Sequence, residues 1–192
     1  YDSSNPYSVG IYEKFQAQAD AVGLTVGTVE SFTSDSKSDL STQVTKCQAA
    51  GCDLVFLPIY AAEAAQVLTC ADRIGYDAKF FGCDGLDGIL TQENFDPTLA
   101  EGVMLLTPFD ATAADEKTQN FVKNYTEKFG IAPNQFAADA YDVIYAIAQA
   151  CENAGVTADM SAADINAALA QIPQAEREQM MNDAKVRQPL AE

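Results

Sequence analysis

The chain has 192 residues, with 28 Asp plus Glu against 11 Lys plus Arg, a formal charge of -17, and neither His nor Trp. Without His there is no Ser-His-Asp triad, no Cys-His dyad and no His-ligated metal, and a charge of this sign repels phosphate backbones, which argues against a nucleic-acid partner. The 48% hydrophobic content supports a core of one domain or two small lobes, yet no apolar run nears the roughly 18 residues of a membrane span.

Tyr1-Asp2, followed by Ser3-Ser4-Asn5-Pro6, reads as the end of a strand running into a helix cap, so a strand is expected ahead of Tyr1 and the chain reads as a fragment. From Asn5 the pattern is helical, with Pro6 in the first turn, Ile11, Phe15 and Val22 on one face, and Gly23 as the stop. Leu24 to Phe32 alternates loosely and predicts a strand. Ser34 to Ser38 is a polar loop able to cap the next helix, whose inner face is Leu40, Val44 and Cys47 and whose end is Gly51. The unbroken run Leu54-Val55-Phe56-Leu57 predicts a strand buried on both faces, as in a parallel sheet.

An Ala-rich helix follows over Ala61 to Ile74, with Ala64, Val67, Leu68 and Ala71 inward and Gly75 as its stop. Lys79 to Phe81 and Val103 to Leu106 predict two further strands. Strands separated by helices at this rhythm give an α/β fold, a parallel sheet with helices on both sides. Beyond Thr107 the character changes to three helices in a row. The first covers Asp115 to Phe129 with Phe121, Val122, Tyr125 and Phe129 inward. The second covers Phe136 to Ala154 with Ala140, Val143, Ile144, Ile147 and Cys151 inward, and the third, capped by Ser161, carries Ile165, Leu169 and Ile172. They read as parts of another layer whose sheet is absent. From Gln174 to Glu192 the chain is polar apart from Met180 and Met181, a marginal helix or a tail.

The five cysteines, Cys47, Cys52, Cys70, Cys83 and Cys151, form no C-x-x-C pair. A local disulfide between Cys47 and Cys52 is one arrangement, and buried free thiols are the plainer one. In open α/β sheets ligands bind beyond the carboxyl ends of the strands. Here that edge comprises Asp2 to Tyr7, Pro58 to Tyr60, Cys83 to Asp87 and Thr107 to Asp110, and it holds Tyr7, Tyr60, Asp84 and Asp87 without a Lys or Arg. Acids beside aromatic walls suit a cation or an ammonium group. Phosphate fits poorly, because no Gly-rich loop with Lys or Arg precedes a helix. Singly, Tyr7 and Tyr60 read as packing residues and Asp84 as a turn former. Their convergence on one edge is what makes a site.

Several segments, in one order, resemble a known family. Asn5-Pro6-Tyr7-Ser8-Val9-Gly10 resembles the Tyr-Gly-rich helix start in the second lobe of type I periplasmic binding proteins. Asp39-Leu40-Ser41 is similar to that family's Asp-Phe-Ser segment, and Ala50 to Pro58 to its strand into the lobe edge. Phe81-Gly82-Cys83-Asp84-Gly85-Leu86-Asp87 resembles its Gly-Asp-Gly-Trp-Asp turn, with Leu86 in place of the aromatic, and Glu101-Gly102-Val103 and Ala140-Tyr141-Asp142-Val143 match as well. The subgroup is that of solute-binding proteins for branched-chain amino acids and related amides, which feed ABC importers.

The resemblance implies a three-layer αβα parallel-sheet lobe of Rossmann-like or flavodoxin-like type, with helices from a second, incomplete lobe, and hinge closure of two lobes on the ligand. Residues 1–106 would be ligand-binding lobe two, 107–173 helices returning to lobe one, and 174–192 a tail. Asp84 corresponds to the carboxylate that takes the ligand's α-ammonium, and Tyr7 and Tyr60 to aromatic walls. The implied protein is no enzyme and needs no cofactor or metal. It is extracytoplasmic, either periplasmic or lipoprotein-anchored at the outer face of a Gram-positive membrane, and its partners are a small amino acid or amide and an ABC transporter permease. The same fold also serves extracellular ligand-sensing domains of signalling or regulatory proteins. An enzyme using Asp84 and Asp87 as a general acid/base pair is the third reading. A DNA-reading repressor is disfavoured by the acidic charge and the lack of a helix-turn-helix.

Overall fold

The computed structural model describes residues 1–184, with side chains as far as Met180. The chain divides into two compact units, the first Tyr1–Thr107 and the second starting at Pro108.

In the first unit, helix α1 (Pro6–Val22) starts where Asn5 Oδ1 accepts the Tyr7 N–H at 2.9 Å and stops where Gly23 takes φ +73°. Helix α2 (Ser41–Ala49) follows, and it is Asp39, not the Ser34–Ser38 loop, whose carboxylate accepts the Ser41 N–H. Then come β1 (Leu54–Leu57), α3 (Ala61–Arg73), β2 (Lys79–Gly82), three short 3-10 turns and β3 (Met104–Leu105). The strands form a parallel sheet in the order β1-β2-β3, with Leu54 opposite Lys79 and Phe81 opposite Met104.

Side-chain alternation along the strands sorts the helices into layers. Phe56 and its register partner Phe81 face α1, where Phe15 stacks on Phe56 at 4.4 Å between ring centroids. Leu57 and Phe80 face the other way, into the main core with Leu40, which precedes α2, Val44 of α2 and Ala64, Val67, Leu68 and Ala71 of α3. The sheet therefore lies between α1 and the α2–α3 pair, a three-layer αβα lobe.

Three expectations fail here. Leu24 to Phe32 is not a ladder strand, β1 is buried only at Leu57, and Val22 is 65% exposed. Among the described residues, the strand-like pairing beside the 24–32 segment comes from Tyr1–Ser3 alone. Tyr1 N donates to Glu30 O, Phe32 N to Tyr1 O and Ser3 N to Phe32 O, giving one isolated parallel bridge between Asp2 and Phe32. The rest of the segment faces β1 across a cavity of about 380 Å³ whose walls include Val26, Val29, Val55 and Phe56. Among the described residues no ladder joins β1 on the slot side, so β1 is an edge strand of the sheet.

The second unit is helical, with no strand among its described residues. Helix α4 (Glu116–Phe129) is capped by Asp115, α5 (Gln135–Asn153) by Asn134, and α6 (Ala162–Ala170) by the reciprocal Ser161–Asp164 capping box. Phe121 packs with Phe109 and Ala138 in a small core, while Phe129 is exposed. On α5 the expected inner face is reversed. Ile144 and Ile147 are 65% and 54% exposed, Val143 is exposed as well, and Asp142 is buried. A helix buries the stripe its neighbours cover, and no sheet is present in this unit to cover the Ile face. Helix α7 (Gln174–Ala184) lies against α5, where Asn153 donates to Glu176 Oε1 at 2.7 Å and Met180 is buried. Residues 185–192 of the expected tail, and the Met181 side chain, lie outside the described residues.

Candidate functional site

Three segments of the first unit end at one edge of its sheet: the start of α1, the turn after β1 and the turn after β2. Each contributes one of the residues singled out in the sequence, and the fold brings the three together. Tyr7 stacks on Tyr60 with centroids 4.9 Å apart and planes 22° from parallel. The Tyr7 hydroxyl donates to Asp84 Oδ1 at 2.7 Å and accepts the Gly85 N–H at 2.9 Å. Burial and the Asp84 carboxylate push the Tyr7 phenol well above its ordinary pKa, so it stays protonated. Tyr60 is 41% exposed, and Asp84 is half-buried as the first residue of a 3-10 turn over Asp84–Leu86.

Two residues that sequence reasoning passed over hold this edge together. Ser8, buried in the first turn of α1, accepts the Asp2 N–H at 2.8 Å and donates to Pro58 O. One hydroxyl thus ties the chain entering α1 to the turn leaving β1. Gly85 lies where no side chain fits. A Cβ there would stand 2.7 Å from Ile59 O, 2.8 Å from the Tyr7 hydroxyl and 3.2 Å from the Tyr60 ring. A small polar residue inside an Asn-Pro-Tyr-Ser helix start, and a glycine after an acid in a turn, are the only traces of either in the sequence.

Other expected members of the edge are used elsewhere. Leu86, which replaces the family's aromatic, is 0% exposed and packs in the core beneath Gly82, so it is no wall of this edge. Asp110 accepts the Thr112 N–H and hydroxyl in its own turn within the second unit. All five cysteines are free thiols, without a Cys47–Cys52 bridge. Burial raises the pKa of Cys83, next to Asp84, which opposes a thiolate there. Among the described residues, no group of three or more Cys, Asp or Glu is arranged to hold a metal ion, and no helix is long and apolar enough to cross a membrane. The cavity beside β1 is lined by neither Tyr7, Tyr60 nor Asp84, so it belongs to the sheet and not to this edge. What the edge offers chemically is one anchored carboxylate flanked by two stacked tyrosine rings, an arrangement suited to a small cationic group.

No curated protein matches the chain. Solved structures do. The leucine-binding protein LivK from Thermotoga maritima superposes with a TM-score of 0.67 at 23% identity, over 95% of this chain and 47% of its own. The branched-chain amino acid transporter substrate-binding protein LivJ from Streptococcus pneumoniae, in complex with isoleucine, gives 0.68 at 24% identity, over 88% and 47%. An extracellular ligand-binding receptor from Rhodopseudomonas palustris gives 0.74 at 21% identity, over 86% and 48%. The chain thus spans about half the length of the structures it matches, and at these identities the likeness is one of fold. The matched family and these neighbours are named as binding proteins, not enzymes. The family profile for periplasmic binding proteins runs over residues 1–188, so the parallel-sheet lobe, the neighbours and the profile agree, and the chain belongs to the periplasmic binding protein family.

Proposed function

We propose that the chain supplies one lobe of an extracytoplasmic solute receptor of an ABC importer, which holds a small amino acid of the branched-chain type, or a related amide, against the Tyr7–Tyr60–Asp84 edge and passes it to a membrane permease. The observation that carries this reading is the joining of all three side chains into one cluster at the carboxyl edge of the sheet. An α-ammonium leaving water needs a charged acceptor, and Asp84 is one. A hydrogen bond to a charged group contributes about 1.5–3 kcal/mol, and an aromatic face adds roughly 0.5–2 kcal/mol where water is excluded. The ligand carboxylate needs donors of its own, and a second lobe closing over the edge would bring them. The isoleucine in the pneumococcal LivJ complex supports the ligand class.

Calorimetry of the full-length protein against a panel of amino acids tests the reading. Isoleucine, leucine or valine is expected to bind, and Asp84→Asn to weaken binding about tenfold or more. Unchanged binding in Asp84→Asn would remove Asp84 from the ammonium role. Turnover of any bound compound is not expected.

A further inference from the structure

Tyr7 carries a hydroxyl that a purely aromatic wall does not need. That hydroxyl is engaged on both sides, accepting the Gly85 N–H at 2.9 Å and donating to Asp84 Oδ1 at 2.7 Å. Because one lone-pair direction is taken by the Gly85 donor, the phenolic hydrogen is directed at the carboxylate. An O–H···O⁻ bond of this length is of the strong, charge-assisted kind. The phenol is also fixed in place. Tyr7 leaves the first turn of α1, whose start is capped by Asn5, and its ring is stacked on Tyr60. Asp84, by contrast, stands on a three-residue turn at the end of β2. A carboxylate on such a short turn has two side-chain torsions to settle, and the Tyr7 hydroxyl constrains them from a different element 77 residues away in the chain.

We infer that Tyr7 is a positioning residue: its hydroxyl, braced by the Gly85 N–H, holds the Asp84 carboxylate in the orientation that receives a ligand ammonium. This rests on the proposed role of Asp84, and it gives Tyr7 a task separate from its ring. Phenylalanine at position 7 would keep the stack on Tyr60 and lose both bonds of the hydroxyl, the one it donates to Asp84 and the one it accepts from the Gly85 N–H that braces it. The substitution therefore acts on ligands that carry an ammonium group and spares those that do not.

Calorimetry on the full-length protein with isoleucine and with its analogue lacking the amine, 3-methylpentanoate, reads this out in the unsubstituted protein, Tyr7→Phe, Asp84→Asn and the double variant. Tyr7→Phe is expected to weaken isoleucine about tenfold, to leave 3-methylpentanoate unchanged, and to add little further loss once Asp84 is Asn. If the analogue binds too weakly to follow, the last comparison decides. Equal loss for both ligands, full additivity of the two substitutions, or no effect of Tyr7→Phe on isoleucine overturns the inference. Should Asp84→Asn weaken isoleucine while Tyr7→Phe does not, the positioning role alone falls. Should the unsubstituted protein bind no amino acid, or Asp84→Asn bind isoleucine as before, the proposed function falls with it.

Discussion

Gly85 is the residue at which the candidate edge is tightest. Its N–H braces the Tyr7 hydroxyl, and its missing side chain leaves room for Ile59 O, that same hydroxyl and the Tyr60 ring. The two nearest neighbours are a main-chain oxygen and a doubly hydrogen-bonded phenol, neither of which moves freely. Alanine there forces the β2 turn away from α1, an overpacking strain of about 1–3 kcal/mol. The expected result for Gly85→Ala is an amino-acid affinity at least tenfold weaker with an unchanged far-UV circular dichroism spectrum. Affinity within twofold of the unsubstituted protein would show that the turn absorbs a Cβ without disturbing Asp84. That Tyr7, Tyr60 and Asp84 meet at one edge was legible in the sequence because strand ends and helix starts of a parallel sheet share an edge. The bonds among them were not, since spacing along the chain says nothing about which hydroxyl reaches which carboxylate. Ser8 and Gly85 escaped for the same reason: their importance is a matter of contacts across elements.

At the level of the elements, those with partners within the chain were the ones sequence pattern described correctly. Helix α3 buries Ala64, Val67, Leu68 and Ala71 as its periodicity implies, because β1, β2 and α2 cover that face. Among the described residues, the 24–32 segment has strand alternation but only Tyr1–Ser3 to pair with, and α5 has a clear apolar stripe with no sheet in its unit to receive it. Pattern states which face seeks burial; burial itself depends on what lies opposite. Helix ends are more local and therefore more legible, as at α4. Asp115 accepts the Thr118 N–H at 2.8 Å, and its hydrogen bonds with Thr118 hold its carboxyl below the usual carboxylate range. A folded-state pKa that is depressed stabilises the fold above the unfolded carboxylate range, and the contribution is lost as pH falls through the depressed value. Asp115→Ala is therefore expected to cost about 1 kcal/mol at pH 7 and progressively less on acidification below about pH 4. Asp115→Asn keeps a capping oxygen and is expected to remain near the parent stability at pH 7 with a shallower acid limb. Thermal melts of the three proteins between pH 3 and pH 7 check both expectations, and an Asp115→Ala deficit that is the same at every pH would contradict them.

For the whole molecule, apolar surface lies open in two places: the slot beside β1 and the exposed residues of α5. On α5, Val143, Ile144, Tyr145 and Ile147 are all exposed, and Val143 and Ile147 line a groove shared with Arg177 and Met180 of α7. A contiguous apolar patch of this kind promotes association, and the charge of -17 opposes it only over roughly the 8–10 Å through which salt leaves charges unscreened. The 192-residue chain alone is therefore expected to self-associate increasingly as salt rises and to bind an apolar dye such as ANS. Ile144→Lys with Ile147→Lys removes the centre of the patch at positions that bury little, so helicity and thermal stability should change by less than about 0.5 kcal/mol per site. Sedimentation velocity and dye fluorescence should both move toward a monomer with less apolar surface. If the double variant sediments and binds dye as the parent does, the α5 face is not what drives association, and the slot beside β1, with its unladdered edge, takes its place as the source.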